Sequence, residues 1–384
     1  MPTMLARKLV PPDASFLLFG ARGTGKTTWI QQHFADAAQY DLLLANESLR
    51  LSRDPSLFRQ ECLALPDGAW IVVDEIQRVP ALLDEVQHLM AKKRQRFVLS
   101  GSSARKLRRS GANLLAGRAE VRAMFPLVSD EVGDERSLDD VLTQGMLPLA
   151  VTGKRPAAFL KSYCDVYLRE EVQAEALVRQ IGPFARFLEV AARANAQTVN
   201  VSNIARDTGI ARQTAQEFFQ ILVDTLLANW LPAWKLKKAI KQVAAPKFYL
   251  FDSGVARHLA GTSHLALTGE ERGFLLETYL LHELRAWLHY QDREDPIAYW
   301  KTYDGVEVDF VVETKKGLIA IEVKSGERWD SRWNRGLEAL RERAGGLRAA
   351  YGVFTGARAL QQDGVLVLPW RQFLQRLWRG ELLD

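Results

Sequence analysis

Cysteine is scarce in this sequence and long apolar runs are absent, and each absence excludes a class of protein. Cys62 and Cys164 are the two cysteines, and without paired spacing they predict neither a disulfide framework nor a zinc site. No apolar run approaches the roughly 18 residues that a membrane span needs. Residues 1–12 include basic side chains but lack the apolar core of a signal peptide. We therefore expect a cytoplasmic protein.

Neither sign of charge dominates the chain. The 384 residues include 51 Lys and Arg against 46 Asp and Glu, which gives a net charge of +5. This small excess is compatible with a nucleic-acid partner but does not by itself indicate one. The length exceeds that of one ordinary hydrophobic core and predicts several domains.

The segment Gly20–Thr27 has the pattern of a complete phosphate-binding loop. It lies between an apolar run, Phe16–Phe19, which predicts a buried parallel strand, and Thr28–Phe34, which predicts a helix. Glycines allow the backbone to aim N–H groups at phosphate oxygens, and the helix N-terminus adds partial positive charge. We expect Lys26 to reach the β- and γ-phosphates of ATP and the Thr27 hydroxyl to bind Mg²⁺.

Two acidic residues, Asp74 and Glu75, follow a later apolar run, Trp70–Val73, which predicts another strand. Leu42–Leu44 is a candidate strand between the glycine loop and this acid pair. Asp74 would hold Mg²⁺, and Glu75 would orient or deprotonate the attacking water. This pair predicts ATP hydrolysis and not binding alone. The predicted nucleotide-binding residues are Gly20, Arg22, Gly23, Thr24, Gly25, Lys26, Thr27, Thr28, Asp74 and Ser102.

The order of these motifs resembles that of AAA-type (AAA+) ATP-binding proteins of bacteria and archaea that carry a C-terminal PD-(D/E)XK nuclease-like domain. The matching segments cover most of the chain and are Gly20–Thr27, Trp70–Gln77, Val98–Ser103, Leu115–Arg118, Lys247–Gly254 and Gly305–Lys324. The resemblance implies a P-loop ATPase core of the α/β class, with ATP and Mg²⁺ as cofactors.

The resemblance also implies roles for residues that follow the predicted strand Arg96–Leu99. Ser102 or Ser103 would be the polar sensor that contacts the γ-phosphate or the attacking water, although serines there are also ordinary turn formers. Arg118 would be an arginine finger that acts across a subunit boundary, which predicts a homo-oligomer, most simply a ring. A solvated arginine at a helix end is the alternative for Arg118.

Residues 202–227 have the pattern of a helix-turn-helix. Ser202 is a candidate cap for a short helix, Gly209 marks the turn, and a second helix follows to about Leu227. In a DNA-bound form, the first turn of the second helix would face the major groove. The DNA-binding candidates in that turn are Arg212, Gln213, Thr214 and Gln216.

Two predicted strands, Trp230–Trp234 and Lys247–Phe251, would form a wing beside this helix pair. Their connection is basic, which suits phosphate contacts that supply affinity without sequence information. The lysines in and beside it are Lys235, Lys237, Lys238, Lys241 and Lys247. A solvated basic face, or a winged helix that only connects domains, is the alternative interpretation.

The last third of the chain begins with an amphipathic helix over 270–288, followed by predicted strands over 297–303, 306–312 and 318–323. The alternation along the second strand predicts one face with Val306, Val308, Phe310 and Val312 and another with Glu307 and Asp309. Glu322 and Lys324 likewise share a face of the third strand. We therefore expect Asp309, Glu322 and Lys324 to converge.

This arrangement resembles the PD-(D/E)XK nuclease core. The resemblance implies that Asp309, Glu322 and Lys324 are catalytic, and that Glu277, Asp309 and Glu322 bind Mg²⁺. Because such cores also serve as inert scaffolds, DNA cleavage and a purely structural role both stay open.

The resulting prediction is an α/β protein of four segments: a P-loop AAA+ ATPase (1–128), a helical lid or connector (129–194), a winged helix-turn-helix (195–262) and a nuclease-like domain (263–384). We expect an ATPase that binds and remodels or processes DNA, including branched or junction DNA in repair or defence. The alternative is a nucleotide-switched regulator or scaffold whose nuclease-like domain is inactive.

Overall fold

The computed structural model describes residues 5–102, 115, 117–167, 181–235 and 245–383. Within these ranges the chain forms two compact units. The N-terminal unit comprises residues 6–126 and 224–227, and the C-terminal unit comprises residues 127–223 and 228 onward. Within the same ranges, no helix is long and apolar enough to cross a membrane.

A five-stranded parallel sheet forms the centre of the N-terminal unit. Its strands are β1 (Phe16–Phe19), β2 (Ala38–Asp41), β3 (Trp70–Asp74), β4 (Arg96–Gly101) and β5 (Glu120–Ala123). The order is β2-β3-β4-β1-β5, and every neighbouring pair is parallel. β1, β3 and β4 are almost continuous apolar runs, which is typical of strands buried on both faces. The predicted strands at 16–19, 70–73 and 96–99 are confirmed.

Short helices connect these strands: α1 (Lys26–His33), α2 (Ala45–Arg53), α3 (Ser56–Leu63), a 3₁₀ turn (Ile76–Arg78) and α4 (Leu82–Lys93). Leu17, Phe58, Ile71 and Phe97 belong to the apolar core that these helices and the sheet enclose. The carboxyl ends of parallel strands meet at one edge of a sheet, so the segments that follow β1, β3 and β4 lie together. β4 separates the strand before the glycine loop from the strand that carries the acids.

The predicted strand over Leu42–Leu44 is wrong. The strand that pairs with β3 ends at Asp41, whose carboxylate accepts the backbone N–H of Leu43 at 2.8 Å and turns the chain. Leu43 and Leu44 are about half exposed, so this run of leucines does not form part of the sheet. Side-chain capping by aspartate favours such a turn over an extended strand.

The C-terminal unit begins with short helices. They are α5 (Ser129–Val132), α6 (Leu138–Gln144), α7 (Pro148–Thr152), α8 (Pro156–Ser162), a π-helical turn (Tyr163–Tyr167) and α9 (Ile181–Arg193). The described part of the segment predicted as a helical lid or connector (129–194) is therefore helical, in several pieces.

A helix pair and a three-stranded sheet follow. The helices are α10 (Val201–Thr208) and α11 (Arg212–Asp224), and the strands are β6 (Gln197–Thr198), β7 (Ala228–Leu231) and β8 (Lys247–Leu250). Gly209 has a left-handed φ of 67° at the predicted turn. The predicted cap is wrong, because the Asn200 side chain caps α10 by accepting the N–H of Ser202 at 2.9 Å.

The two strands of the predicted hairpin pair in antiparallel register. Ala228 faces Leu250 and Leu231 faces Lys247, and β6 pairs with the other edge of β8, so the order is β6-β8-β7. The central position of β8 fixes the backbone of Lys247 from both sides.

A six-stranded mixed sheet forms the rest of the unit. Its strands are β9 (Ile297–Lys301), β10 (Glu307–Thr314), β11 (Gly317–Val323), β12 (Ala349–Phe354), β13 (Leu360–Gln362) and β14 (Val365–Pro369). The helices of this part of the chain are α12 (Ser253–Leu259), α13 (Gly269–Tyr290), a 3₁₀ turn (Ser331–Asn334), α14 (Arg335–Ala344) and α15 (Trp370–Trp378). The strand order is β13-β14-β12-β11-β10-β9. The predicted long helix and the three strands after it are confirmed.

The predicted apolar face of β10 is wrong beyond Val308, whereas Glu307 and Asp309 share a face as predicted, since both contact the Lys247 ammonium. The register of β10 against β9 shifts between Val308 and Val311, and both of these valines belong to one apolar cluster. The ring of Phe310 lies instead 6.5 Å from the ring of Tyr249. A β-bulge inserts an extra residue and breaks the two-residue period. Asp309 lies within this irregular stretch.

Candidate functional site

The glycine loop between β1 and α1 has a backbone suited to phosphate binding. Gly23 and Gly25 have left-handed φ values of 80° and 94°, which residues with a Cβ rarely adopt. Gly20 is constrained differently, because an added Cβ would lie 2.5 Å from the carbonyl oxygen of Met124. Of the other predicted nucleotide-binding residues, Thr24, Lys26, Asp74 and Ser102 are buried, whereas Arg22, Thr27 and Thr28 are exposed.

The Lys26 ammonium points back into the loop. It donates to the carbonyl oxygens of Gly20 and Ala21 at 2.7 and 3.3 Å. These carbonyls hold the charge at the centre of the loop, where phosphate oxygens would be stronger partners because they carry negative charge.

Thr27 and Asp74 meet as predicted. The Thr27 hydroxyl donates to Asp74 Oδ2 at 2.8 Å, and Ser100 from the end of β4 donates to Asp74 Oδ1. Ser100 also accepts the backbone N–H of Glu75 at 3.4 Å. The sequence pattern does not predict a role for Ser100. Its position at the end of β4, the strand between β1 and β3, is the feature that would have indicated one.

Glu75 begins the turn after β3 with a left-handed φ of 60°. Such a conformation is costly for a residue with a side chain and is often found at functional sites. The Gln77 amide donates to the Glu75 carboxylate and also to Ser102 Oγ at 3.2 Å. An added Cβ at Gly101 would lie 2.5 Å from Gln77 Oε1. Gln77, which sequence reasoning missed, therefore links the predicted base to the predicted sensor.

The donor set at this edge fits a magnesium ion held together with a nucleotide. Mg²⁺ in such sites takes one or two protein oxygens and completes its shell with phosphate oxygens and water. The Thr27 hydroxyl and the Asp74 carboxylate are adjacent and line a cavity of about 370 Å³. They are the residues that would hold the ion.

Two arginines of the N-terminal unit have different surroundings. Arg7 donates to the carbonyl oxygens of Thr24 and Phe125 at 2.6 and 2.7 Å and ties the loop to the segment after β5. Arg118 is exposed just before β5, where its backbone N–H donates to Leu115 O. Its predicted role as a finger stays a prediction. The second sensor candidate, Ser103, lies outside the described residues.

The described DNA-binding candidates are exposed except for Thr214. Arg212 and Gln213 lie at the start of α11 with exposed side chains, Thr214 is half-buried, and Lys235 is exposed after β7. Lys237, Lys238 and Lys241 lie outside the described residues. Contact of these side chains with DNA stays a prediction.

The C-terminal unit contains a cluster of four carboxylates and three ammonium groups, which we call the carboxylate–lysine cluster. Its members are Glu277, Glu307, Asp309, Glu322, Lys247, Lys301 and Lys324. Asp309 Oδ2 accepts the Val323 N–H at 2.8 Å, and Lys324 pairs with Glu322. The predicted convergence of Asp309, Glu322 and Lys324 is therefore present.

Lys247 stands among three of these carboxylates. Its Nζ atom lies 2.5 Å from Glu307, 3.2 Å from Glu277 and 3.6 Å from Asp309, and its side chain is 5% exposed. The suggestion that Lys247 contacts DNA phosphates as part of a basic wing is wrong, because the ammonium is buried and ion-paired. The signal in the sequence was the apolar stretch that follows it, which predicts a buried strand.

Burial and charge perturb the pKa of several cluster members. Burial, followed by the charge of Asp309, raises the pKa of Glu277 to about 7, and the same two causes raise the pKa of Glu322 well above its usual range. Burial acts to lower the pKa of Lys247, but the nearby carboxylates, first Glu277, outweigh it and raise the pKa. Lys247 is therefore charged at neutral pH.

The residues of this cluster do not fit the predicted magnesium ion at Glu277, Asp309 and Glu322. Two of those carboxylates already contact the Lys247 ammonium, and the third pairs with Lys324. A divalent ion about 4 Å from an ammonium would be repelled by roughly 8 kcal/mol at an effective dielectric constant of about 20. Throughout the described ranges, no group of three or more acidic, His or Cys side chains is arranged to hold a metal.

Comparison with protein families assigns a domain type to three parts of the chain. Residues 13–133 match the AAA domain, residues 135–266 match a domain of unknown function (DUF8612), and residues 272–373 match another domain of unknown function (DUF4143). The AAA match covers the glycine loop and the acid pair and indicates an ATP-binding, ATPase-type domain.

The chain is also similar to two curated proteins and to several solved structures. Uncharacterized proteins of Mycobacterium tuberculosis and Mycobacterium bovis are each 27% identical over 317 residues, 80% of this chain and 69% of the relative. The Orc1 protein of Aeropyrum pernix in complex with DNA matches with 12% identity and a TM-score of 0.27, over 65% of this chain and 86% of that one. A signal transduction ATPase of Pyrococcus horikoshii matches with 12% identity and a TM-score of 0.20, over 73% and 46%. Similarity at this level carries no information about function, which is argued below from the residues of the chain.

Proposed function

We propose that the chain is a Mg²⁺-dependent AAA+ ATPase whose nucleotide state switches a DNA-binding assembly, with the nuclease-like segment (263–384) acting as a scaffold. The observation that carries the ATPase part is the arrangement at one edge of the parallel sheet. Lys26 lies in a glycine loop, the Thr27 hydroxyl contacts Asp74 at 2.8 Å, and Glu75 follows at the end of the same strand as Asp74.

Each of these side chains has a distinct task in hydrolysis. Lys26 exchanges its loop carbonyls for phosphate oxygens. Thr27 and Asp74 would hold Mg²⁺, which would supply positive charge to the phosphate oxygens. Glu75 accepts the proton of the attacking water, and Gln77 holds the Glu75 carboxylate in place.

Two substitutions separate nucleotide binding from hydrolysis. We expect Lys26→Ala to lose both ATP binding and turnover. Glu75→Gln should still bind ATP but turn it over about 10²–10⁴-fold more slowly, because a general base is lost. Lys92→Ala, which removes an exposed lysine from α4, is the matched control. Steady-state phosphate release and fluorescent-nucleotide binding measure the two properties, and undiminished turnover by Lys26→Ala would contradict the proposal.

DNA is the proposed partner of the helix pair α10 and α11. Arg212 and Gln213 are exposed at the start of the second helix, where a helix-turn-helix places its base-contacting residues. Exposed Lys235 and the lysines of residues 236–244 would add phosphate contacts, which predicts binding that weakens as salt is raised.

The nuclease-like segment (263–384) is proposed as a scaffold and not as a DNA-cutting enzyme. The pairing of Glu277 and Asp309 with Lys247, and of Glu322 with Lys324, favours this alternative over metal-dependent cleavage. The division into four segments, including a winged helix and a nuclease-like domain, is likewise part of the proposal.

A further inference from the structure

The Lys247 ammonium occupies a position in which the surrounding carboxylates could otherwise bind a metal cation. It comes from β8, whereas its partners come from other elements: Glu277 lies on α13, and Glu307 and Asp309 lie on β10. The Tyr249 hydroxyl, two residues along β8, donates to Glu277 at 3.0 Å. Two side chains of one strand thus reach into the same acidic group.

The other lysines of the cluster have narrower roles. Lys301 pairs with Glu307 and is 30% exposed, and Lys324 pairs with Glu322. Only Lys247, among the lysines of this cluster, reaches Glu277, Glu307 and Asp309 together. Its removal would therefore uncover more negative charge than removal of either neighbour.

The backbone of Lys247 is held in place. β8 is the central strand of its sheet, and Lys247 pairs with Thr198 on one side and with Leu231 on the other. The Lys247 ammonium lies over the ring of Tyr299, with Nζ 5.5 Å from the ring centroid. Both strand pairings would have to break before the backbone of Lys247 could move away from the cluster, and the three ion pairs hold the ammonium itself in place.

One acceptor of the cluster is not satisfied. Glu322 Oε2 is buried and has no hydrogen-bond partner within the described ranges. A buried acceptor without a partner is costly, and this oxygen would be available to a cation admitted to the cluster once the charge of Lys247 is removed.

We propose that Lys247 is the built-in counter-ion of the carboxylate–lysine cluster, in the place where a divalent cation would otherwise bind, and that removing its charge creates a divalent-cation site. This inference deepens the scaffold part of the proposed function. It explains how a fold with an acidic sheet centre stays assembled without metal, and it is independent of ATP hydrolysis.

The test is a Mn²⁺ titration of the full-length, chelator-treated, nucleotide-free protein, with free Mn²⁺ followed by electron paramagnetic resonance. We expect Lys247→Met to bind one Mn²⁺ at least about tenfold more tightly than the parent, equivalent to about 1.4 kcal/mol. Adding Asp309→Asn should abolish this gain. Lys301→Met, the matched control, should behave like the parent. A folded Lys247→Met variant that binds Mn²⁺ no better than the parent overturns the inference.

The parent protein supplies a second arm that does not depend on the variant folding. Its Mn²⁺ binding should not change with Asp309→Asn, because the ammonium already fills the site, and an Asp309-dependent Mn²⁺ site in the parent overturns the inference. Thermal unfolding adds a further readout, since Mn²⁺ should raise the melting temperature of Lys247→Met alone. Lys26→Ala separates this result from the proposed ATPase, because it should lose ATP turnover and keep the parent's Mn²⁺ behaviour.

Discussion

Gln77 has the contacts of a positioning residue. Its amide donates to both Glu75 and Ser102, so one side chain sets the orientation of the predicted base relative to the end of β4. Glu75 itself has a left-handed backbone conformation, and Gln77 donates a hydrogen bond to its carboxylate. The sequence gives no direct signal of this link, because Gln77 follows the acid pair without any recognisable pattern of its own.

Replacing Gln77 should therefore slow hydrolysis without weakening nucleotide binding. We expect Gln77→Ala to lower kcat by about tenfold or more, since a hydrogen bond to a charged group contributes roughly 1.5–3 kcal/mol. KM for ATP should change by less than about twofold, because none of its hydrogen bonds reaches the glycine loop. Gln60→Ala, on the exposed face of α3, is the control. A proportional rise in KM would indicate a binding role instead.

At the scale of elements, the sequence predicts those parts of the fold in which a local pattern and burial agree. β1 and β3 are apolar runs flanked by diagnostic residues, and both were predicted within a residue or two. The prediction of a strand over the leucines after Asp41 is wrong because a side-chain hydrogen bond from Leu43 N–H to Asp41 ends the strand. The local pattern does not predict the bulge in β10, because the bulge depends on the register against β9, which is a separate strand. Residues that are distant in sequence, such as Lys247 and Glu277, meet only through such tertiary pairing.

Helix α13 illustrates this dependence through Glu283. The buried carboxylate accepts hydrogen bonds from the backbone and hydroxyl of Ser129 in α5, at 2.7 and 3.0 Å, and from the Trp378 indole in α15 at 2.7 Å. Burial raises the pKa of Glu283 to about 7, although the bonds from Trp378 and Ser129 act in the opposite direction. The folded carboxyl group therefore holds its proton over a range in which the unfolded one has lost it.

This pKa predicts a defined pH dependence of stability. Because the folded state binds more protons between about pH 4.5 and pH 7, the contribution of Glu283 to the free energy of unfolding falls as pH rises through that range. We expect the stability of Glu283→Gln relative to the parent to increase by on the order of 2 kcal/mol between pH 5 and pH 8. Urea unfolding at several pH values measures the difference. The exposed Glu338→Gln on α14 should show no such trend, and a flat difference for Glu283→Gln would contradict the assignment.

For the whole molecule, the remaining step is to connect ATP hydrolysis with assembly and DNA. Arg118 is exposed, so it is available to a neighbouring protomer, and a finger supplied in this way contributes about 10³–10⁵ in rate. The helix pair carries exposed Arg212 in the C-terminal unit. A protein that uses both features should hydrolyse ATP in proportion to its assembled fraction and respond to DNA.

ATP turnover per protomer, measured across protein concentrations with and without duplex DNA, tests this connection. The parent should show a steep rise in specific activity with concentration, because a finger role for Arg118 would require a neighbour to complete the site. Arg118→Ala should be slower by about 10³-fold or more and nearly independent of concentration. Arg212→Ala should need more DNA for half-maximal stimulation, and the exposed Arg332→Ala should match the parent. If the parent is equally active at every concentration and Arg118→Ala retains that activity, hydrolysis is completed within one protomer and the finger assignment is wrong.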